Sequence, residues 1–518
     1  MQYTLFQDDF GINVFDGNNI YKINDIKELK SDANSIIIVC GQSFICRLPI
    51  YDISTIEKMI FFPGRKDLKR MYEKYSHKTI DISNVSNILK GIAYVFKRQQ
   101  EYIDSYQLRL AVDFHSQTSA ILSYINAGTP IIIKDSAINE LNELGEQLSK
   151  ENILSRQELM SHMTKRRYNF IDINTGKFRF DHAFLLSLND PVLNQHVNGE
   201  RIRSKFIQKN ILKKEMRINH NIYGAITGRI QTSEPNIQGI DKKVIQPTGT
   251  LYSFDFTGFE IIIYLTLFNK PLLQQFKESG KNDIFGWMFF KIYPNKFNFD
   301  SDNLKSNEPE IRDKFKKLVI RSLYGATQND MIYWYGDNII QLYKSVLSLL
   351  SIVSAKKELI DFATRTGRYL INKKYNLSIQ DRWVKEYFIL VPESKKWEKI
   401  ITDDPIFSDS GRFIVQKDKF DELYTKERGI IEKCIEAYQN VSKLCLNYHI
   451  QGTGAFIIKQ SIQNVLKSKI SSQVLILRHD EIVVDIKNNE DIEKIQMAMT
   501  TAAIQIIGSG IFVKAEKI

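Results

Sequence analysis

Val474 to Ile486, VLILRHDEIVVDI, sets two adjacent carboxylates, Asp480 and Glu481, directly after Arg478 and His479. Apolar residues run in before them and resume after them, which reads as strand, tight turn, strand. Carboxylates that close raise each other's pKa, and partial burial raises it further, so a divalent cation is the natural counter-charge. Taken alone, the stretch is more plainly an ordinary Asp-Glu hairpin turn. What argues for chemistry is a second carboxylate site of the same character, at Thr250 to Leu267, TLYSFDFTGFEIIIYLTL. There Asp255 ends a half-buried strand, sharing a face with Leu251 and Ser253 while Tyr252, Phe254 and Phe256 take the other. A helix is expected after Gly258, with Glu260 in its first turn. Brought together in a central sheet, Asp255 and Asp480 form a carboxylate cage suited to two magnesium ions roughly 3.5 to 4 Å apart.

The third chemical stretch is cationic. Glu310 to Ala326, EIRDKFKKLVIRSLYGA, follows Pro309 and stops at Gly325, a helix of about four turns. Arg312, Lys316, Ile320 and Tyr324 are spaced by fours and share one stripe. Two cations one turn apart, with an aromatic two turns on, match a nucleoside triphosphate laid along the helix. Arg312 and Lys316 would hold phosphates, and Tyr324 would stand where a base pair forms. In isolation the same helix reads as a basic surface face. The loop Tyr223 to Ile240, YGAITGRIQTSEPNIQGI, adds Arg229, Asn236 and Gln238. A guanidinium and two amides on such a loop can follow a sugar-phosphate backbone or a minor groove.

The rest of the chain must position these pieces. Its 518 residues are 43% hydrophobic and 25% charged, ordinary for a globular protein long enough for several domains. A net charge of +11 favours a polyanionic partner without separating nucleic acid from an anionic membrane. No apolar run approaches the roughly 20 residues of a membrane span, and Met1 to Gly11 lacks the features of a signal or transit peptide. Four cysteines without C-x-x-C spacing suit a reduced, intracellular protein without structural metal. The first hundred residues read as a small α/β domain. Strands are expected at Ile12–Phe15, Ile36–Cys40 and Phe44–Leu48, helices at Ser54–Phe61 and Lys66–Tyr75, and a basic patch at Arg65, Lys69, Arg70 and Lys74. A helical region, Ser86–Leu154, leads into a basic zone from Lys165 to Lys214 that suits phosphate tracking. Later helices are expected at Lys357–Asn376 and Ile430–Asn447, with strands and turns between them around Phe388–Arg412. Gln451-Gly452-Thr453-Gly454-Ala455 is expected to open a further helix ending near Lys467.

In this order the pieces resemble the family A DNA polymerases, the bacterial polymerase I type. Thr227-Gly228-Arg229 with Pro235-Asn236-Ile237-Gln238 looks like the family's primer-template loop. Asp255 to Glu260 is similar to its first catalytic motif, D-Y-S-Q-I-E, and Arg312-x3-Lys316-x7-Tyr324-Gly325 to its nucleotide-binding fingers helix. Asn447-x3-Gln451-Gly452-Thr453 resembles N-x-P-I-Q-G-T, and His479-Asp480-Glu481 matches V-H-D-E. The resemblance covers residues 110 to 518. It implies an α+β right-hand fold: a palm with an antiparallel sheet at 216–300 and 440–518, a helical thumb at 120–215 and helical fingers at 301–439. The expected reaction is DNA-directed DNA synthesis, two-metal transfer of dNMP from dNTP to a primer 3′-hydroxyl. The expected cofactor is Mg2+, with Mn2+ as a substitute, and the expected partners are primer-template DNA and dNTPs, with no membrane. Asp255, Asp480 and the Phe256 carbonyl would ligate the metals. Lys316 would also protonate the leaving pyrophosphate, and Glu481 and His479 would support the primer terminus. Arg229, Lys443, Asn447 and Gln451 would contact the duplex, and Glu260 would exclude a 2′-hydroxyl.

Five departures qualify the resemblance. Ile320 and Arg321 replace the family's aromatic and glycine, Gly258 its Gln, His449 its Pro, and Lys443 its Arg, which keeps charge but loses the planar fork. Loss of the aromatic at Ile320 removes stacking on the incoming sugar. Residues 1–119 invite comparison with the family's 3′-5′ proofreading domain, yet Met1 to Ile50 holds no Asp-x-Glu, and Gly41 to Cys46 lacks the Asp expected after Phe44. Asp113 is a relic of that domain's last motif or a plain helix-surface Asp. The expectation is a degenerate exonuclease-like domain without proofreading, in the cytoplasm of a bacterial or virus-infected cell. Alternatives are specialised or template-independent DNA synthesis on the same site, a single-subunit RNA polymerase, disfavoured by Glu260 and His-Asp-Glu, and a non-catalytic, polymerase-derived nucleic-acid-binding protein.

Overall fold

The computed structural model describes residues 2–8, 11–29, 35–40, 49–60, 67–128, 130–151, 153–171, 178–209, 212–233, 235–385, 406–407, 413–414 and 417–518. The strand expected at Phe44–Leu48, the segment Gly41 to Cys46 and Arg65 lie outside these residues, as does most of Phe388–Arg412. The chain divides into two compact units. One comprises Met1–Ala127, His220–Gln231 and Leu251–Lys517, the other Gly128–Asn219 and Thr232–Thr250.

At the start of the first unit, strands Gln2–Asp8, Gly11–Phe15, Ile20–Ile23, Ile36–Val39 and Ile50–Asp52 form one sheet in the order third, second, first, fourth, fifth. The first three are antiparallel; the fourth runs parallel to the first and to the fifth. Alternation explains it, because Tyr3, Leu5, Val14, Ile37 and Val39 bury on a common core. Its acids serve local turns: Asp8 accepts from Asn13 Nδ2 at 2.9 Å, and Asp52 accepts from the Ser54 and Thr55 hydroxyls. Asp113 is exposed on the helix Arg109–Asn126.

The sheet that positions the candidate site has the strand order Gln473–Leu477, Glu481–Ile486, Thr250–Phe256, Val513–Lys517. Antiparallel register sets Val474 opposite Val484 and Leu477 opposite Ile482 in the hairpin, and Asp255 opposite Lys514 at the other edge. Phe254, Leu477, Ile482 and Val484 are all fully buried, and every residue of Glu481–Ile486 is buried, as in a strand covered on both faces.

Two expected helices change shape. Instead of one helix over Lys357–Asn376, a helix Ile352–Thr366 ends at Gly367, whose φ of 63° is a left-handed stop. A hairpin, Tyr369–Asn372 with Leu377–Ile379, follows it. Conversely, Ile430–Asn447 and the stretch opening at Gln451 belong to one helix, Lys417–Lys467. A mid-helix glycine costs about 1 kcal/mol relative to alanine, and here close packing requires it. A Cβ at Gly452 would lie 2.3 Å from Ile371 Cγ2 and 2.7 Å from the Ile371 carbonyl oxygen, and one at Gly454 would lie 2.8 Å from the Phe259 ring. Gly452→Ala should therefore destabilise the protein by about 1–3 kcal/mol despite its better helix propensity, read as a lower urea midpoint. A midpoint equal to or above that of the parent would contradict this packing.

In the second unit, Ile131–Ile133 pairs with Ile245–Gln246 and with Glu215–Met216. Helices Arg156–Lys165, His182–Ser187 and Pro191–Lys209 bury Leu159, Met163, Leu185, Leu193 and Val197 together. Asp190 ties the first of them to the third: His162 Nε2 lies 3.0 Å away, and the Tyr168 hydroxyl and the Val192 and Leu193 amides donate to it. Burial pushes the Asp190 carboxyl up, but the bonds from His162, Leu193, Tyr168 and Val192 outweigh it and hold the group at about 2. A depressed carboxyl contributes stability above its ordinary value of 3.8 and loses it as pH falls through about 2. Asp190→Asn should thus be less stable than the parent at neutral pH, with the gap in urea midpoint closing below pH 3.8. A gap independent of pH would remove the electrostatic explanation.

Among the described residues no single helix is long and apolar enough to cross a membrane.

Candidate active site

Asp255 is the one exposed residue of the strand Thr250–Phe256, between the buried Phe254 and Phe256. The Phe256 amide donates to the Asp480 carbonyl at 3.2 Å, and the Arg478 amide donates to the Glu481 carbonyl at 2.9 Å to close the hairpin turn. Two acids far apart in sequence thus sit on neighbouring backbone. Burial, then Glu260, then Glu481 push the Asp480 carboxyl above the usual carboxylate range, with Arg229 opposing. Glu481 itself is 7% exposed and accepts from the Ser253 hydroxyl, so the two adjacent carboxylates have different surroundings. Among the described residues no three His, Cys, Asp or Glu side chains gather into a ready metal cage. The donors at hand are the Asp255 and Asp480 carboxyls and the Phe256 carbonyl. They fit a hard divalent cation, since oxygen donors suit it and a cation would offset both the burial and the Glu260 and Glu481 charges that raise the Asp480 carboxyl.

Glu260 occupies the first turn of the helix Phe259–Phe268. Gly258 precedes it with φ 64°, and a Cβ there would lie 3.0 Å from Ile284 Cγ2, so the backbone itself selects glycine. One Glu260 oxygen, Oε1, accepts from Arg229 Nη2 at 3.0 Å and from the Tyr324 hydroxyl. Burial, then Glu260, raise the Tyr324 hydroxyl strongly, while Arg229 and a hydrogen bond with the Gln451 side chain lower it. His479, exposed at the hairpin turn, is held below the ordinary imidazole value by desolvation and then by Arg229. Arg229, Glu260, Tyr324, Gln451 and His479 therefore converge beside Asp480.

The cationic helix spans Pro309–Leu323 and hands Tyr324 to this cluster. Arg312 is already engaged: its Nε and Nη2 fork onto Asp283 at 3.1 and 3.0 Å, and it lies 5.2 Å from the Phe285 ring. Lys316 is exposed, with Nζ 5.8 Å from the same ring. Ile320 is half-buried, and Arg321 stacks on Trp334 at 4.0 Å. Lys443 is exposed, Asn447 has a buried Oδ1 with no partner among the described residues, and His449 is buried and lowered to about 4 by that burial. Asn236 and Gln238 belong to the second unit, where Asn236 Oδ1 accepts the Gln238 amide at 3.2 Å in a local turn. Sequence reasoning missed Ser253, Asp283 and Phe285. Only Asp283 carried a signal, as an Asp directly ahead of an apolar helix, where it caps the Phe285 amide.

Among solved structures, the chain is similar to the POL domain of Pol1 from M. smegmatis, determined in complex with DNA primer-template and dNTP. The TM-score is 0.69 and the sequence identity 15%, over 98% of this chain and 92% of that one. No protein-family profile matches the sequence, and no curated protein matches it. The fold is that of a mixed α+β polymerase domain.

Proposed function

We propose that this chain is a DNA-directed DNA polymerase transferring dNMP from dNTP to a primer 3′-hydroxyl, without proofreading. The reading rests chiefly on one observation, the Phe256–Asp480 backbone bond that seats Asp255 beside Asp480 in a polymerase-like fold. The similar mycobacterial domain was solved with primer-template and dNTP, and the same partners are proposed here. Two magnesium ions, or manganese in their place, held by Asp255, Asp480 and the Phe256 carbonyl, would acidify the primer hydroxyl and neutralise the triphosphate. Lys316 meets the phosphates and gives a proton to the departing pyrophosphate. Arg312, pre-set by Asp283, adds fixed positive charge on the same helix. Glu260, braced by Arg229 and Tyr324, bars a ribose 2′-hydroxyl. Glu481 and His479 support the primer terminus, and Lys443, Asn447, Gln451, Asn236 and Gln238 track the duplex. In this reading residues 120–215 are thumb, 216–300 and 440–518 palm, and 301–439 fingers. Residues 1–119 are an exonuclease-like domain without nuclease activity, and the setting is the cytoplasm of a bacterial or virus-infected cell. Primer extension with deoxy- or ribonucleotides, with and without template, tests the activity.

The engagement of Arg312 by Asp283 favours one rival, a non-catalytic polymerase-derived scaffold. It predicts duplex binding with no synthesis in the same assay.

A further inference from the structure

The outer surface of the cationic helix carries a second group of residues that the site above does not use. Lys314, Lys317 and Arg321 are spaced i, i+3, i+7 and so form one basic stripe along Pro309–Leu323, away from the Arg312 and Lys316 row. At the end of the stripe the next helix, Gln328–Tyr335, presents three consecutive aromatics, Tyr333, Trp334 and Tyr335. The Arg321 guanidinium lies 4.0 Å from the Trp334 ring and donates from Nη1 to the Tyr335 hydroxyl at 2.9 Å. Lys314 Nζ sits 5.6 Å from the Tyr335 ring. These contacts fix the orientation of Trp334 and Tyr335. Yet Trp334 remains 44% exposed and Tyr333 86% exposed, with no ring or hydrogen-bond contact for Tyr333 among the described residues. Core packing does not account for a large aromatic so open beside a fixed one. Of the nearby acids, Glu310 and Asp313 are exposed one turn before Lys314 and Lys317, with Asp313 3.5 Å from Arg312 Nη1, Asp330 is taken up in the capping box with Thr327, and Asp337 follows the helix end, so the stripe keeps a net positive charge.

We infer that Tyr333 and Trp334, with Arg321, Lys314 and Lys317 beside them, form a stacking platform for unpaired bases of single-stranded DNA. Exposed ring surface flanked by cations is what such a strand requires: bases stack on Tyr333 and on the part of Trp334 that Arg321 leaves open, and phosphates meet the lysines. A buried or paired strand edge would offer no free base faces, so duplex DNA is not the occupant. The inference deepens the proposed function by giving the unpaired strand its own surface, and it rests on that reading for its setting. Its test does not need catalysis.

The measurement is fluorescence anisotropy of a labelled oligo-dT on the full chain, without metal or nucleotide, for the parent, Tyr333→Ala, Tyr333→Phe, Trp334→Ala and Lys317→Ala. Tyr333→Ala and Trp334→Ala should each weaken binding by about ten-fold, while Tyr333→Phe keeps parental affinity. On an abasic strand of equal length the two alanine variants should bind like the parent, since no base is left to stack. Lys317→Ala should weaken both strands alike and flatten the salt dependence. Unchanged oligo-dT affinity in both alanine variants, or equal losses on the abasic strand, overturns the platform. Primer extension together with unchanged oligo-dT binding defeats this inference alone, and a ten-fold loss of binding in a chain that never extends a primer defeats the polymerase reading alone.

Discussion

Asp480→Asn and Asp255→Asn should each lower templated nucleotide incorporation by about 10³-fold or more, with primer-template affinity nearly unchanged, because each removes a carboxylate that acts on the reacting atoms rather than on the duplex. Asp480 offers a second readout with the opposite sign. Its carboxyl is raised by burial and by Glu260 and Glu481, so its ionisation is less favourable in the folded chain than in the unfolded one. The contribution of such a group to stability is complete below the ordinary value of 3.8 and is lost as pH rises through the folded value. At neutral pH without metal, the ionised Asp480 therefore costs stability that a neutral amide at this position would not. The inactive Asp480→Asn protein should melt higher than the parent in chelator at pH 7, with the difference vanishing in acid. A variant that melts lower at pH 7 would show that Asp480 serves the fold, and the crowded-carboxylate account would fail.

The second large effect is expected at Lys316. Lys316→Met keeps a long unbranched side chain and removes the charge that lies 5.8 Å from the Phe285 ring, and it should reduce kcat by about 10²–10³-fold with little change in DNA affinity. Lys316 is the cleaner probe because it is exposed and packs little. Arg312→Ala would strip the fork from Asp283, whose side chain is only 14% exposed, and would mix a structural penalty with any loss of phosphate contact. Single-turnover incorporation by Lys316→Met at saturating dNTP decides the matter. A rate within a few-fold of the parent would remove Lys316 from the chemistry.

What the sequence made legible follows from how locally each feature is encoded. The hairpin, the strand ending at Asp255 and the helix after Pro309 are written in two- and 3.6-residue periods with turn residues at their ends, and all three appear where expected. Continuity of the helix Lys417–Lys467 was not legible. Gly452 and Gly454 look like breakers until Ile371 and Phe259, remote in sequence, are seen pressing against them. The same holds for the side-chain partners. Nothing near Arg312 announces Asp283, and Arg229, Glu260 and Tyr324, each read as facing DNA or nucleotide, are bonded to one another. Arg321 looked only like a departure from a pattern, and its stacking on Trp334 depends on how two successive helices turn.

Gel-resolved extension of a labelled primer tests the central claim most directly, using the full chain in magnesium, the four deoxynucleotides offered one at a time, and Asp480→Asn in parallel. The proposed polymerase adds only the deoxynucleotide complementary to the template base, adds nothing without template or with ribonucleotides, removes no 3′ residues when nucleotides are withheld, and is silent as Asp480→Asn. Tight primer-template binding with no extension in magnesium or manganese, or extension that persists in Asp480→Asn, would contradict it.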